Sequence, residues 1–346
     1  MKQGSFFWRL EMVANKIHFS FDNESKQKVI LIFGISSFVG SNLAEILKKD
    51  FKVVGSYYKN PVSIKGIVSF PCDVLKKEDV QMALYTFRPD ITIYAVGLHS
   101  INDCDENVEL AEALNSAGLF NVTEFCQRYK SQICYISSCY VFGGGDKKYV
   151  ETDIPDSVSL FGKTKATAEF FVQKTSLNYI VFRCCNLYGR GISVTKSTWF
   201  EKLERSTFEG ESMIWDNHVF AGFLDIYFLG LLIKMCFENM IRNRVFQVSS
   251  SDVITFYDFA KMYVKTFGAP DGLVAKGKWN FPLLSYVELS LMEQMNFRMD
   301  YSNLESFLNI SLPSVQESLN FTKKRLCSTS TEGSKKTKKG GAIIYI

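Results

Sequence analysis

Residues 28–40 read Lys28-Val-Ile-Leu-Ile-Phe33-Gly34-Ile-Ser-Ser-Phe-Val-Gly40. A short apolar run stopped by glycine reads as a buried parallel strand. Leu43, Ile46 and Leu47 follow at helical spacing, so a helix is expected over Ser41–Lys49. A glycine-containing turn between a strand and its helix suits a diphosphate, because free backbone N–H groups and the positive helix end face it together. Gly34 permits the sharp turn, and Gly40 lets helix and strand pack closely. Ser37 stands where a central glycine is usual, which tightens the approach of a phosphate; Phe38 and Val39 complete the loop. The competing account is an ordinary strand-to-helix turn in a nucleotide-free α/β protein. The order of the elements that follow favours the nucleotide.

Outward from this loop, apolar runs and helical patterns alternate. Strands are expected at Phe51–Tyr57, Ile67–Phe70, Asp90–Val96, Gln132–Ser137 and Tyr179–Arg183. Helices are expected at Glu78–Phe87, Leu110–Tyr129 and Lys163–Thr175. Strands separated by helices of this length build βαβ units with right-handed crossovers. The fold class is therefore α/β, a Rossmann-type doubly wound parallel sheet with a smaller C-terminal substrate-binding lobe. Residues 1–27 read as an N-terminal extension and 28–190 as the NAD(P)-binding domain. Residues 191–322 read as mainly the C-terminal lobe with segments returning to the first domain, and 323–346 as a basic flexible tail. In the second half, Phe256–Phe267 and Ser285–Met295 are helical candidates.

The 346 residues carry a formal charge of +4, but its distribution is uneven. Residues 323–346 hold seven Lys/Arg and one acid, leaving 33 basic and 35 acidic residues over 1–322. A nearly neutral body has no nucleic-acid footprint. Nine cysteines show no CxxC spacing and histidine occurs only at 18, 99 and 218, so neither zinc nor a disulfide framework is indicated. Reduced thiols point to the cytoplasm. The apolar stretch Phe220–Phe237 contains Asp225 and Lys234, which favours a buried amphipathic helix over a membrane span.

The second strand ends Ser56-Tyr57-Tyr58-Lys59, without the acid that would accept a ribose 2′-hydroxyl. Lys59 would attract a 2′-phosphate, so NADP(H) is favoured and NAD(H) stays open, as does a merely solvated lysine. Asp73, opening Asp73-Val74 after the third strand, is placed to meet an adenine edge or to cap the next helix.

Gly34…Gly40, Asp73-Val74, Ala95-Val96-Gly97, Asn115, Ser137-Ser138-Cys139-Tyr140-Val141-Phe142, Tyr149-Val150-Glu151-Thr152-Asp153-Ile154-Pro155 and Phe161-Gly162-Lys163-Thr164-Lys165 occur in this order. Together they resemble the extended short-chain dehydrogenase/reductase family of NAD(P)-dependent sugar-nucleotide enzymes. The similarity is nearest its dTDP-4-dehydrorhamnose reductase branch, which also holds the regulatory β subunit of methionine adenosyltransferase. It runs over roughly residues 28–320. The resemblance implies a role for each matching position. Ser138 would hydrogen-bond the substrate carbonyl. Lys165 would hold the nicotinamide ribose and lower the pKa of the acid. Asp73, Val74, Ala95, Val96, Gly97 and Asn115 would line or frame the cofactor trough. A nucleotide-sugar is the expected partner, a homodimer is left open, and neither nucleic acid nor a membrane span is expected.

The departure is Phe161, at the position of the family's proton-donating tyrosine. A phenyl ring has no ionisable proton, and losing a positioned acid removes about 10²–10⁴-fold of rate. Tyr140, Tyr149 and Tyr188 are the candidate replacements. Cys139 replaces an acid common in the reductase branch, Cys184 and Cys185 read as buried packing residues, and Asp225 is expected to cap or orient a loop. His99 and His218 have no partner at an interpretable spacing. Three functions follow: a keto-sugar-nucleotide reductase, an epimerase or dehydratase of the same superfamily, and a non-catalytic dinucleotide-binding regulatory protein.

Overall fold

The computed structural model describes residues 27–192, 197–277 and 294–333. The expected N-terminal extension, the helix at Ser285–Met295 except its last residues, and the last part of the basic tail lie outside the described residues.

The first half alternates as the apolar runs require. Its elements are β1 (Val29–Phe33), α1 (Phe38–Leu47), β2 (Lys52–Tyr57), β3 (Val68–Pro71), α2 (Lys77–Phe87), β4 (Ile91–Tyr94), α3 (Ile101–Glu106), α4 (Val108–Glu112), α5 (Gly118–Tyr129), β5 (Gln132–Ser138), α6 (Leu160–Thr175) and β6 (Tyr179–Cys184). The second half adds β7 (Asn186–Tyr188), α7 (Trp199–Glu209), β8 (Met213–Asp216), β9 (Val219–Phe220), β10 (Phe223–Asp225), α8 (Ile226–Glu238), β11 (Arg244–Val248), α9 (Phe256–Phe267), β12 (Val274–Gly277), β13 (Met295–Asn296), α10 (Ser302–Leu308) and α11 (Val315–Gly333). The central sheet has the order β11-β6-β5-β4-β1-β2-β3, and all its pairings are parallel. The chain builds outward from β1 through β2 to β3, then crosses back to β4 on the other side of β1 and builds outward in the opposite direction. The crevice at the carboxyl ends of β1 and β4 is thus where an open sheet of this kind accepts a ligand.

Period-2 alternation splits β1 between two cores. Ile30 and Ile32 pack with Leu43, Leu47 and Leu229 on one face, Leu31 and Phe33 with Val80, Leu84 and Leu119 on the other, all of them buried. Both faces are covered, so the strands read as continuous apolar runs. A third, largely aromatic core holds Tyr188, Phe200, Trp215, Phe223 and Phe259 between β7, β10, α7 and α9.

Three expectations change in detail. Helix α1 starts at Phe38 rather than Ser41, because Ser37 is its N-cap and accepts a hydrogen bond from the Gly40 N–H at 2.9 Å. Likewise α6 starts at Leu160 rather than Lys163, capped by Ser159, which accepts from the Gly162 N–H at 3.1 Å. The single helix expected over Leu110–Tyr129 is interrupted by a π-turn at Ala113–Ala117, whose centre, Asn115, bonds to two other segments. One-turn π segments recur where a side chain is redirected toward a site.

The apolar stretch 220–237 forms β9, β10 and the buried helix α8. Asp225 is not inside the helix but caps it, accepting from the Tyr227 N–H at 2.9 Å. Lys234 reaches past the apolar face to Asp50 at 2.7 Å. No helix among the described residues is long and apolar enough to cross a membrane. Helix α11 runs on through residues 323–333, at the start of the stretch read as a basic tail, and two contacts hold it there. Arg325 donates to the fully buried Asp225 at 2.7 Å, and Thr322 adds a second bond to the same carboxylate at 2.5 Å.

Candidate functional site

Gly34 ends β1 at φ +84°, a conformation that L side chains rarely adopt, and a Cβ there would lie 2.7 Å from the Ala95 carbonyl oxygen. At Gly40 a Cβ would run into the carbonyl oxygen of Gly34. The turn is tied to β2 by the Gly34 and Ile35 N–H groups, which both donate to the Ser56 carbonyl at 3.0 and 2.9 Å. Within the described residues, the N–H groups of Ser36, Phe38 and Val39 have no protein acceptor. Three donors without a protein acceptor thus stand at the positive end of a ten-residue helix, an arrangement that suits an anion. The Ser37 hydroxyl turns back onto its own helix, so it takes the Gly40 N–H out of that set.

This loop forms one wall of a cleft of about 490 Å³. Ser37, Phe38, Val39, Ala95, Val96, Ser138, Phe161 and Lys165, all expected at the site, line it together. Ser138 closes β5, with Oγ accepting from the Tyr140 N–H at 3.2 Å. Phe161 and Lys165 lie four residues apart on α6 and so share a face. The Lys165 ammonium donates to the Ile136 carbonyl at 3.2 Å and stands 5.1 Å from the centre of the Tyr135 ring. Burial pulls its pKa down to about 8, against the opposing pull of the Cys184, Cys104 and Glu169 groups.

The remaining expected residues serve the site from behind or stand apart from it. Asn115 is buried and accepts from the Leu98 N–H at 2.9 Å while donating to Thr164 Oγ1 at 3.1 Å, which clamps the segment after β4 to α6 beside Lys165. Gly97 is required there, since a Cβ would strike Asn115 Oδ1. Asp73 turns onto its own chain, its Oδ1 accepting from the Leu75 N–H at 3.0 Å, and Val74 is buried under Gly118. Lys59 is exposed past the end of β2, its ammonium 5.1 Å from the Tyr58 ring centre, and does not line the cleft.

Of the three candidate replacement tyrosines only Tyr140 reaches the cleft. It is buried, its hydroxyl donates to Asn186 Oδ1 at 3.0 Å, and burial holds its pKa well above the phenolic range. The Tyr149 hydroxyl accepts from the Gly145 N–H at 2.7 Å with its ring stacked on Phe142, and the Tyr188 hydroxyl lies 2.6 Å from Ser318 Oγ in the third core. Cys184 and Cys185 line the cleft and Cys139 is buried behind it. Burial raises all three thiols, Cys185 to about 12, so they are packing groups at neutral pH. His218 does have a carboxylate neighbour, contrary to expectation: Asp216 Oδ2 lies 3.6 Å from its Nδ1, outside the cleft.

Sequence reasoning missed His99, Asp103, Asn186, Trp199 and Lys202 on the cleft wall. Trp199 and Lys202 come from the first turn of α7, which nothing in the local sequence ties to the first domain. His99 lacked a sequence-adjacent partner, but in three dimensions it lies in the field of Lys165. Desolvation by the cleft walls and that charge pull it down to about 4, although its ring is open to the cleft interior. Asn186 Nδ2 and Ser137 Oγ are buried at the cleft without a protein partner among the described residues. Among the described residues no group of three or more His, Cys, Asp or Glu is placed to hold a metal ion.

A parallel sheet of this order, open N–H groups after its first strand and a Ser/Lys pair lining one cleft are the features of a Rossmann-fold protein of the extended short-chain dehydrogenase/reductase type. The chain belongs to the RmlD substrate binding domain family, whose match spans residues 28–321. Over 239 residues it is 24% identical to methionine adenosyltransferase 2 subunit beta of Rattus norvegicus, covering 68% of this chain and 70% of that one. Over 233 residues it is 23% identical to dTDP-4-dehydrorhamnose reductase of Aggregatibacter actinomycetemcomitans, covering 67% and 76%. The crystal structure of dTDP-4-dehydrorhamnose reductase from Bacillus anthracis, in complex with NADP, superposes with a TM-score of 0.74 at 19% identity, covering 88% of this chain and all of that one.

Proposed function

We propose that this chain binds a pyridine dinucleotide and acts on a nucleotide-sugar carbonyl as a reductase of the dTDP-4-dehydrorhamnose reductase kind. The observation that carries the reading is one cleft with free N–H donors at one wall and the Ser138/Lys165 pair at another. The N–H groups of Ser36, Phe38 and Val39 would hold the diphosphate, and Lys165 the nicotinamide ribose. The bound coenzyme would supply hydride. Ser138 would orient the carbonyl oxygen, and the apolar wall of Phe161, Ile136 and Cys184 would keep water from the reacting carbon. Relatives named as reductases support this assignment, as does the NADP complex of the Bacillus anthracis protein. NADP(H) is favoured over NAD(H) by Lys59 and by the lack of an acid at the end of β2. The eight buried free thiols support a reducing, cytoplasmic setting.

Phe161 supports a second reading, a dinucleotide-binding regulatory protein with little turnover, and the likeness to methionine adenosyltransferase 2 subunit beta points the same way. The test is a titration with NADPH and NADH followed by a screen of 4-keto-sugar nucleotides. Binding with turnover supports the reductase, binding without turnover the regulatory protein, and no binding defeats both.

A further inference from the structure

With Phe161 in place of tyrosine, a reduction in this cleft needs another proton source, and the phenol, thiol, imidazole and ammonium groups near it can be taken in turn. The Tyr140 hydrogen is committed to Asn186. Tyr149 and Tyr188 do not reach the cleft, and the thiols of Cys184 and Cys185 are held far above neutrality. His99 is drawn down to about 4 and carries no imidazolium proton at pH 7. Lys202 is exposed on α7, a different wall from the one that holds Ser138. Lys165 remains. It rises from α6 beside Phe161, lines the cleft with Ser138, and makes one hydrogen bond among the described residues, to Ile136, which leaves two ammonium hydrogens for other acceptors.

From this geometry we propose that Lys165 is itself the proton donor to the carbonyl oxygen held by Ser138. The proposal rests on the reductase reading above. The carbonyl carbon gains a C–H bond with hydride from the reduced coenzyme and the C–O π pair moves onto oxygen. One N–H bond of Lys165 breaks as the O–H bond of the product alcohol forms, and the neutral amine then recovers a proton from solvent. The groups around the ammonium leave it able to do this. Glu169 on its own helix is engaged by Arg183 at 2.8 Å; Cys104 from α3, Cys184 from β6, Tyr135 from β5 and His99 after β4 are uncharged at neutral pH. Lys165 is thus a buried cation with no carboxylate in contact, and desolvation brings its pKa near the range where a general acid works best.

The experiment uses the full chain with ¹⁵N-labelled lysine, the Lys165 resonance being the one missing from Lys165→Met, alongside a pH profile of NADPH-dependent keto-sugar-nucleotide reduction. Lys165 Nζ is expected to titrate at about 8, well below the exposed lysines. The wild-type kcat is expected to fall about tenfold per pH unit above that value. In Phe161→Tyr the fall should move, because a phenol then shares the task. Titration of Lys165 above 10, or turnover with a kcat flat from pH 7 to about 9.5, overturns the proposal while leaving the reductase reading in place. A chain that binds NADPH but turns nothing over overturns both.

Discussion

The Lys165 ammonium lies 5.8 Å from the centre of the Phe161 ring, one helical turn away on α6. A cation at that distance faces a ring that offers it a π surface but neither a proton nor a lone pair. Under the proposed reading the pair keeps its binding member, Lys165, and lacks its acid at position 161.

Phe161→Tyr should restore the missing acid. The ring is almost wholly buried beside Lys165, and a nearby positive charge lowers the pKa of a phenol. The expected gain in kcat is about 10²-fold, the lower end of what a positioned acid contributes, since Lys165 already supplies part of that function. Steady-state kinetics at pH 7 checks it, and an unchanged kcat means that the cleft is not arranged for a phenol.

Ser138→Ala should cost about 10²–10³-fold in kcat, as removal of a donor to a developing oxyanion does. The side chain holds the turn after β5 through the Tyr140 N–H and Cys139, away from the free N–H groups after β1, so the NADPH dissociation constant should stay within about twofold. Equal losses in binding and turnover would show that Ser138 shapes the cleft rather than the reaction.

Burial of Lys165 also links to stability. Its folded pKa of about 8 lies below the ordinary 10.5, so the unfolded chain binds more protons between those values. Folding stability therefore gains from Lys165 as pH rises from 8 to 10.5, and below 8 the full penalty stands. Lys165→Met should be relatively most favourable at pH 7 and lose on the order of 3 kcal/mol of that advantage by pH 10.5. Urea unfolding of both proteins at the two pH values reads this directly; a pH-independent difference would show that Lys165 titrates as if exposed.

Arg325→Ala should destabilise the chain by about 1–3 kcal/mol, because Asp225 is fully buried and loses its cationic partner while its bonds from Thr322 and Tyr227 remain. A change below about 0.5 kcal/mol in denaturant unfolding would place this contact among exposed pairs of little worth.

Legibility from sequence followed the range of the forces. The strands of the first domain were readable because a sheet buried on both faces leaves unbroken apolar runs such as Val29–Phe33 and Tyr179–Arg183. The turn after β1 was readable because an apolar run stopped by glycine is a local signal. Helix starts were misplaced where a cap decided them, as at Ser37 and Ser159. The β11 edge strand and the short pairs β7–β10 and β8–β12 had no such run: polar residues such as Arg244, Gln247, Asn186 and Asp216 interrupt them. The Trp199 and Lys202 wall depends on where helix α7 packs, and Arg325 on a carboxylate a hundred residues away; neither spacing has a local signature.

The central claim is that the turn between β1 and α1 holds a dinucleotide diphosphate. The most direct measurement is calorimetric titration of NADPH and NADH into the wild-type chain and into Gly34→Ala, whose Cβ would meet the Ala95 carbonyl at 2.7 Å with a backbone φ of +84°. Saturable binding to the wild type, tighter for NADPH and at least tenfold weaker in a variant that still folds by circular dichroism, is the predicted result. Heat traces showing no binding of either coenzyme at millimolar concentration would contradict it.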